Sequence, residues 1–299
     1  MNHQTSDTQN MTNQSDVDAV ELGAALRTEI GSCPSSHWYV LIDAAQIPDL
    51  AVAMRKGSLC HLPHISLFDL EAENQGAGAD AAPYLFYLGG EGDIDRAITY
   101  TVQKSLNTYG ISWLISPLDL HTLAARLAQR TEAKLTENME VLLRFYDTRI
   151  LPHLHFALSP EQANIFYSVA QAWWYVTRAG KLQECKTQFR EEDKFRAPLL
   201  FTQGEENVLT TLAFPDAVLG KLLEEVPELI TTMHRAEQHN FVMRQLDRLQ
   251  TMGITAMPDI MIYCVICLRE GDDFVERSPW IEKWEAIKLG QHTMSGLLQ

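Results

Sequence analysis

Apolar and polar positions change period several times along this chain, and the changes mark out its elements. HWYVLID (37–43) is short, apolar and rich in β-formers, so it predicts a buried strand. Pro48 suits the first turn of a helix running through Met54 and Arg55. A weaker strand falls within Leu59 to Phe68, and ENQGAGADA (73–81) reads as a loop. PYLFYLGG (83–90) predicts a strand ending in glycines, followed by a helix to about Leu106 with Asp93 and Asp95 in its first turn. GISWLIS (110–116) is a strand, and Pro117 and Asp119 start the helix LDLHTLAARLAQRT. EVLLRFYD (140–147) reads as a fifth strand, and SPEQANIFYSVAQAWWYV (159–176) as one long helix entered through Ser159-Pro160. Ahead of all this, residues 1–16 are polar and predict a disordered tail. A helix follows from Val17, capped by Ser15 or Asp16 and broken by Gly31, Ser32, Pro34 and Ser35.

Strands alternating with helices predict an α/β lobe over 17–180, with a mixed or parallel sheet flanked by helices. Residues 181–203 are charged and irregular and read as a linker. Beyond Gly204, Leu, Met and Phe recur at helical spacing in ENVLTTLAF, DAVLGKLLEEV, HNFVMRQLDRL and IMIYCVICL, so 204–299 predicts an all-α C-terminal lobe.

Composition narrows the function. The 299 residues are 46% apolar, enough for a sizeable core, and carry 39 acids against 24 Lys and Arg, a formal charge of −15. Both lobes share the acidity and neither has a basic stripe, which argues against nucleic acid and against anionic membrane surfaces as partners. The longest apolar run, Ile260 to Leu268, is far below the ~20 residues of a spanning helix, so no membrane insertion is expected. The opening MNHQTSDTQNMTNQSD has neither a cationic nor an apolar signal region, and the cysteines (33, 60, 185, 264 and 267) are odd in number, so a cytoplasmic protein with reduced thiols is expected.

Chemical motifs are sparse. Gly76-Ala-Gly78 precedes a strand, the wrong context for a dinucleotide fingerprint. Gly89-Gly90-Glu91-Gly92 would set Glu91, Asp93 and Asp95 beside any bound phosphate, so a tight turn is favoured. Cys60, His61 and His64, or His153 and His155, lack further ligands at zinc spacing, and Cys264 and Cys267 sit in an apolar run and read as buried small hydrophobes. No nucleophile elbow occurs. No cofactor, metal or catalytic residue is therefore expected.

The segment with most chemical character is Leu143-Arg144-Phe145-Tyr146-Asp147-Thr148-Arg149. As a strand it would put Arg144 and Tyr146 on one face and Leu143 and Phe145 on the other. Asp147 and Arg149 would stand at its end, the usual place for an α/β ligand or partner contact; the favoured reading is a structural salt bridge, Asp147 pairing with Arg144 or Arg149 to fix the following turn. Trp173, Trp174 and Tyr175 cannot all face one core from a helix, so one of them is expected to meet the other lobe or a partner. Trp280 and Trp284, with Trp173 and Trp174, could form an interaction surface, but at i, i+4 this pair reads most simply as a packed stripe.

The order of these segments is itself informative. Tyr39-Val-Leu-Ile-Asp43-Ala-Ala, Ala82-Pro-Tyr-Leu85, Gly110-Ile-Ser-Trp113-Leu-Ile-Ser116 and Leu143-Arg-Phe-Tyr-Asp147-Thr-Arg149 together resemble the type VI secretion effector adaptor (chaperone) family, a Tap/Tec-like domain first catalogued as a domain of unknown function. Family members often carry Pro where this chain has Thr148. The second lobe, through Leu249 to Phe274 and Pro279-Trp280, is more loosely similar to helical tails that follow this domain. The resemblance implies a non-enzymatic cytoplasmic adaptor that binds a type VI effector protein and helps load it onto the VgrG spike protein without being exported. It also implies a family-defining network of Asp43, Arg144, Phe145, Tyr146, Asp147 and Arg149. Two other readings stay open: a soluble enzyme with a strand-end site near Asp43, Arg144 and Asp147, and an immunity protein that binds a toxin.

Overall fold

The computed structural model describes residues 18–29, 36–69, 81–89, 94–288, 292–294 and 296. The expected tail, the cap at Ser15 or Asp16, the breakers Gly31 to Ser35, Gly76, Gly78 and Gly90 to Gly92 lie outside them. The chain divides into two compact units, 1–209 and 210–299.

The first unit is built on a six-stranded sheet. Its members are β1 (His37–Asp43), β2 (His64–Ser66), β3 (Pro83–Tyr87), β4 (Ile111–Ser116), β7 (Ala172–Val176) and β8 (Leu182–Cys185), in the order β2-β3-β1-β4-β7-β8. All its strand pairings are antiparallel. A second, three-stranded sheet joins β6 (Glu140–Leu142), β5 (Glu132–Lys134) and β9 (Leu199–Leu200), and its β5–β9 pairing is parallel. The expected architecture of sheet and flanking helices is therefore present.

Period-2 alternation sends each strand of the large sheet into two cores. Trp38, Val40 and Ile42 of β1, with Phe86, Trp113 and Trp174, pack against a helix over 18–29 (α1), α2 (Leu50–Lys56) and α3 (Ile94–Ser105). Tyr39 and Leu41, with Leu85, Leu114 and Trp173, pack against α4 (Leu120–Gln129), α5 (Leu154–Ala157) and α6 (Pro160–Phe166). The sheet is thus a dry middle layer, and β1 is buried from Trp38 to Asp43.

Three expectations are corrected. The long helix over 159–176 stops at Phe166, and Ala172–Val176 is the strand β7. The capping box of Ser159 and Gln162 marks the helix start well, but no Gly or Pro marks its end. Alternation then places Trp173 and Tyr175 in one core and Trp174 in the other, where it stacks on Trp38 at 5.6 Å. All three aromatics are buried, so none is left over for the other lobe or a partner. The expected strand 140–147 ends at Leu142, and residues beyond it form turns. The charged stretch 181–203 supplies β8 and β9, and Phe195, Leu199 and Phe201 join a core.

That stretch is held by one buried cation. Arg130 is fully buried at the end of α4 and donates to the carbonyls of Arg126, Ile165 and Phe166. It also grips both carboxylate oxygens of Asp193 at 2.9 Å. Its guanidinium lies 4.5 Å from the Phe195 ring centroid. Every donor of the guanidinium fork is thereby used. Burial alone would raise the Asp193 carboxyl, but the bonds and charge of Arg130 outweigh it and hold the group below its ordinary value of 3.8.

The second unit contains the rest of α7 (Gln203–Glu225), then α8 (Pro227–Ile230), α9 (Arg235–Gln250), α10 (Met257–Glu270) and α11 (Trp280–Lys288). Its core includes Leu222, Phe241, Val242, Tyr263, Phe274 and Trp284. Trp284 stacks on Tyr263 at 5.2 Å while Trp280 meets Phe274 edge-on, so the i, i+4 pair is a packed stripe as expected. Cys264 and Cys267 are buried as expected, and burial pushes both thiols up to about 12.

Two outcomes test the Arg130 clamp. Arg130→Met strands a mostly buried carboxylate and three carbonyls, and is expected to cost about 3–5 kcal/mol in denaturant unfolding; a change within error of zero would refute the clamp. Because the Asp193 pKa is depressed on folding, its contribution is full above the unfolded value of about 3.9 and is lost as pH falls through the folded one. Asp193→Asn should therefore lower stability at pH 7 and narrow its gap to the wild type as pH approaches 3.

Candidate functional site

The candidate site lies at the end of β1. A strand with both faces buried must place its first charge there, and the residue is Asp43, with no exposure. Asp43 caps a short 3-10 turn, Ala44–Gln46, by accepting from the Ala45 amide. Gln46, three residues on, donates its amide to Asp43 Oδ2 at 3.0 Å and to Asp147 Oδ2 at 3.3 Å. Its carbonyl accepts the Tyr109 N–H at 3.0 Å. One side-chain amide thus joins two buried carboxylates to the loop before β4.

Two arginines complete the pairing. Arg144 Nη2 donates to Asp43 Oδ2 at 2.7 Å, and Arg149 Nη2 to Asp147 Oδ2 at 2.6 Å. Asp147 also accepts the Arg149 amide, which tightens the turn. The carboxylate-bearing side chains are 0% and 4% exposed, whereas the arginine side chains are 43% and 37% exposed, with their guanidiniums toward Tyr146 and Tyr109. Each arginine is therefore held by a buried carboxylate and is itself partly exposed. Burial would lower the Arg144 pKa, but the bond and charge of Asp43 more than reverse this and hold it above its usual value. Burial, then the charge of Asp43, pushes the Tyr146 hydroxyl up to about 12.

The backbone is as constrained as the side chains. The Asp43 N–H donates to the Gly110 carbonyl, and the Thr148 N–H donates to the Tyr109 carbonyl. A Cβ on Gly110 would stand 3.1 Å from the Cβ atoms of both Asp43 and Gln46, so any larger residue would have to push these neighbours aside.

The residues expected from sequence divide by position. Asp43, Arg144, Asp147 and Arg149 converge. Phe145 stands apart from the polar cluster, fully buried edge-on to Phe166 and Trp173, whereas Tyr146, 1% exposed, borders it with the Arg144 guanidinium over its ring. Because 143–149 is a series of turns, the expected two-faced strand is absent, and Arg144 pairs with Asp43 instead of Asp147. Trp173, Trp174 and Trp284 are core residues, and Trp280 is half-buried. Gln46, Tyr109 and Gly110 were missed. Asp43-Ala-Ala-Gln46 has the spacing of a capping box, and that spacing alone pointed to Gln46.

Among the described residues no cluster of His, Cys, Asp or Glu is suited to hold a metal ion, and no helix is long and apolar enough to cross a membrane. A hollow of about 690 Å³ opens elsewhere, beside Phe68, Glu132 and Leu142.

The bridging role of Gln46 predicts a charge-sensitive variant. Gln46→Glu puts a third carboxyl against two buried ones and raises its folded pKa above the unfolded value near 4.3. The penalty should be full at pH 7, about 2 kcal/mol or more, and should shrink as pH falls toward 4. Chemical denaturation at both pH values reads it, and a pH-independent penalty would refute the carboxylate bridge.

Comparison with known proteins gives one family and no named relative. No curated protein and no solved structure matches the chain. Residues 38–164 match the family model described as "Domain of unknown function (DUF4123)", which covers β1 through most of α6 and every residue of the Asp43–Asp147 cluster. That family is the one associated with type VI secretion adaptors.

Proposed function

We propose that this protein is an adaptor that binds one type VI secretion effector in the cytoplasm and helps load it onto the VgrG spike, without being exported. The observation that carries the reading is the family match over 38–164, which coincides with the part of the fold that holds the paired arginines. In this reading the protein acts by binding and not by catalysis. Arg144 and Arg149 suit that role physically. Each guanidinium is held by a buried carboxylate, so little side-chain freedom is lost when its outer edge meets a partner. The formal charge of −15 adds long-range attraction for a basic effector surface.

The test is affinity capture of the tagged full-length chain from the native cytoplasm under conditions in which the secretion system is expressed. The expected result is co-capture of a type VI effector together with VgrG, identified by mass spectrometry. Recovery of neither would overturn the reading. Capture of a toxin's catalytic domain with loss of its activity, and no VgrG, would favour an immunity protein instead.

A further inference from the structure

A second surface of the first unit has the form of a docking groove. Two adjoining hollows, of about 690 and 350 Å³, share Thr131, Glu132 and Leu142 in their walls. Their apolar lining includes Phe68, Val141, Leu142 and Pro198. Phe68 is 44% exposed and Leu142 52%, so the groove presents apolar surface to solvent.

The strand beside these hollows is an edge. β6 pairs with β5 on one side, and among the described residues no strand pairs with it on the other. An exposed edge with apolar side chains is a template for an added strand.

Charge selects the occupant. Asp69, Glu132 and Glu140 line the hollows, and no Lys or Arg does. Glu132 and Glu140 are exposed, and neither has an ion-pair partner among the described residues. The one cation on the two strands, Lys134, stands opposite Glu140 in the register but is not part of the lining. This differs from the Asp43 cluster, where each carboxylate already has its guanidinium.

We propose that the groove along β6 binds an extended segment of the effector that presents apolar residues and Lys or Arg together on one face, at every second position. Those apolar side chains would cover Phe68 and Leu142 and the cations would meet Glu132 and Glu140, which share one face of the strand pair with Leu142. The backbone of the segment would pair with the free edge of β6. The inference rests on the adaptor reading and assigns the effector-contacting surface to a place distinct from the paired arginines.

The experiment uses the full-length chain and the effector identified by capture. Overlapping 15-residue peptides covering that effector are titrated against the wild type, the double variant Glu132→Lys/Glu140→Lys, Leu142→Asp, and Phe156→Ser. Phe156 is 73% exposed on α5 and serves as an apolar control outside the groove. Thermal unfolding of each variant verifies that it folds. The expected result is one basic, apolar peptide that binds the wild type and the Phe156 variant alike. Its affinity should fall at least about tenfold with either groove variant and weaken with added salt.

Peptide binding and effector capture that survive both groove variants would overturn the inference while leaving the adaptor reading intact. Failure to capture any effector would overturn both. A dimer of the chain alone that the Glu132/Glu140 variant dissociates would show that the groove takes a second copy, which would also overturn the proposal.

Discussion

A sheet covered on both faces has room for charge only at its ends, and the first unit follows from how that constraint is met. β1 is buried on both sides from Trp38 onward, so Asp43 enters the polar world without any solvent of its own. A buried carboxylate is tolerable only when its charge and lone pairs are matched. The match comes from Arg144, a hundred residues on, and from Gln46, which also fixes Asp147. The same turn carries Phe145 downward into the aromatic group of Phe166 and Trp173. The turn is therefore tied from above by charge and from below by packing, so the exposed arginine edges inherit the rigidity of the core.

Two kinds of charge then act at different ranges. The arginines at the end of β1 are each balanced locally, so their field beyond a few ångströms is weak. What they offer is oriented donors and flat apolar faces, useful only on contact. Glu132 and Glu140 beside the groove form no ion pair among the described residues, and the chain as a whole is acidic. Those can attract a basic partner before contact and are more sensitive to salt. The two kinds of charge therefore differ in range and in salt sensitivity.

The sequence shows these features unevenly. β1, β3 and β4 were legible because each is a compact apolar run bounded by turn residues, and α3 and α4 because acidic or capping residues mark their starts. β7 was hidden because its aromatics follow a well-capped helix with no stop signal, so period 2 was taken for a continuation of period 3.6. The turn at 143–149 was hidden for the opposite reason: its residues are good strand formers, and long-range pairing to Asp43 overrides that preference. β8 and β9 are short and carry exposed residues (Gln183, Glu184 and Leu200), so neither reads as a buried strand, and Arg130 and Asp193 help to hold the stretch between them. Within the site the charged members were readable from residue type. Gln46 and Gly110 were not, because a neutral bridge and a steric allowance leave almost no compositional trace.

The matched segment and the folded unit also have different limits. Residues 38–164 end within α6, before β7, yet β7 lies between β4 and β8 in the large sheet. Without it, β4 would become an edge, and Trp113 and Leu114 would lose the cover of Trp174 and Trp173 across the pairing. Arg130 would likewise lose Asp193 and the Ile165 and Phe166 carbonyls, keeping only the Arg126 carbonyl among its acceptors. Both losses fall on the two cores that sandwich β1. The segment recognisable by family therefore cannot bury its own sheet; the strands up to β9 are part of the same cooperative structure, whatever surface they also present to a partner.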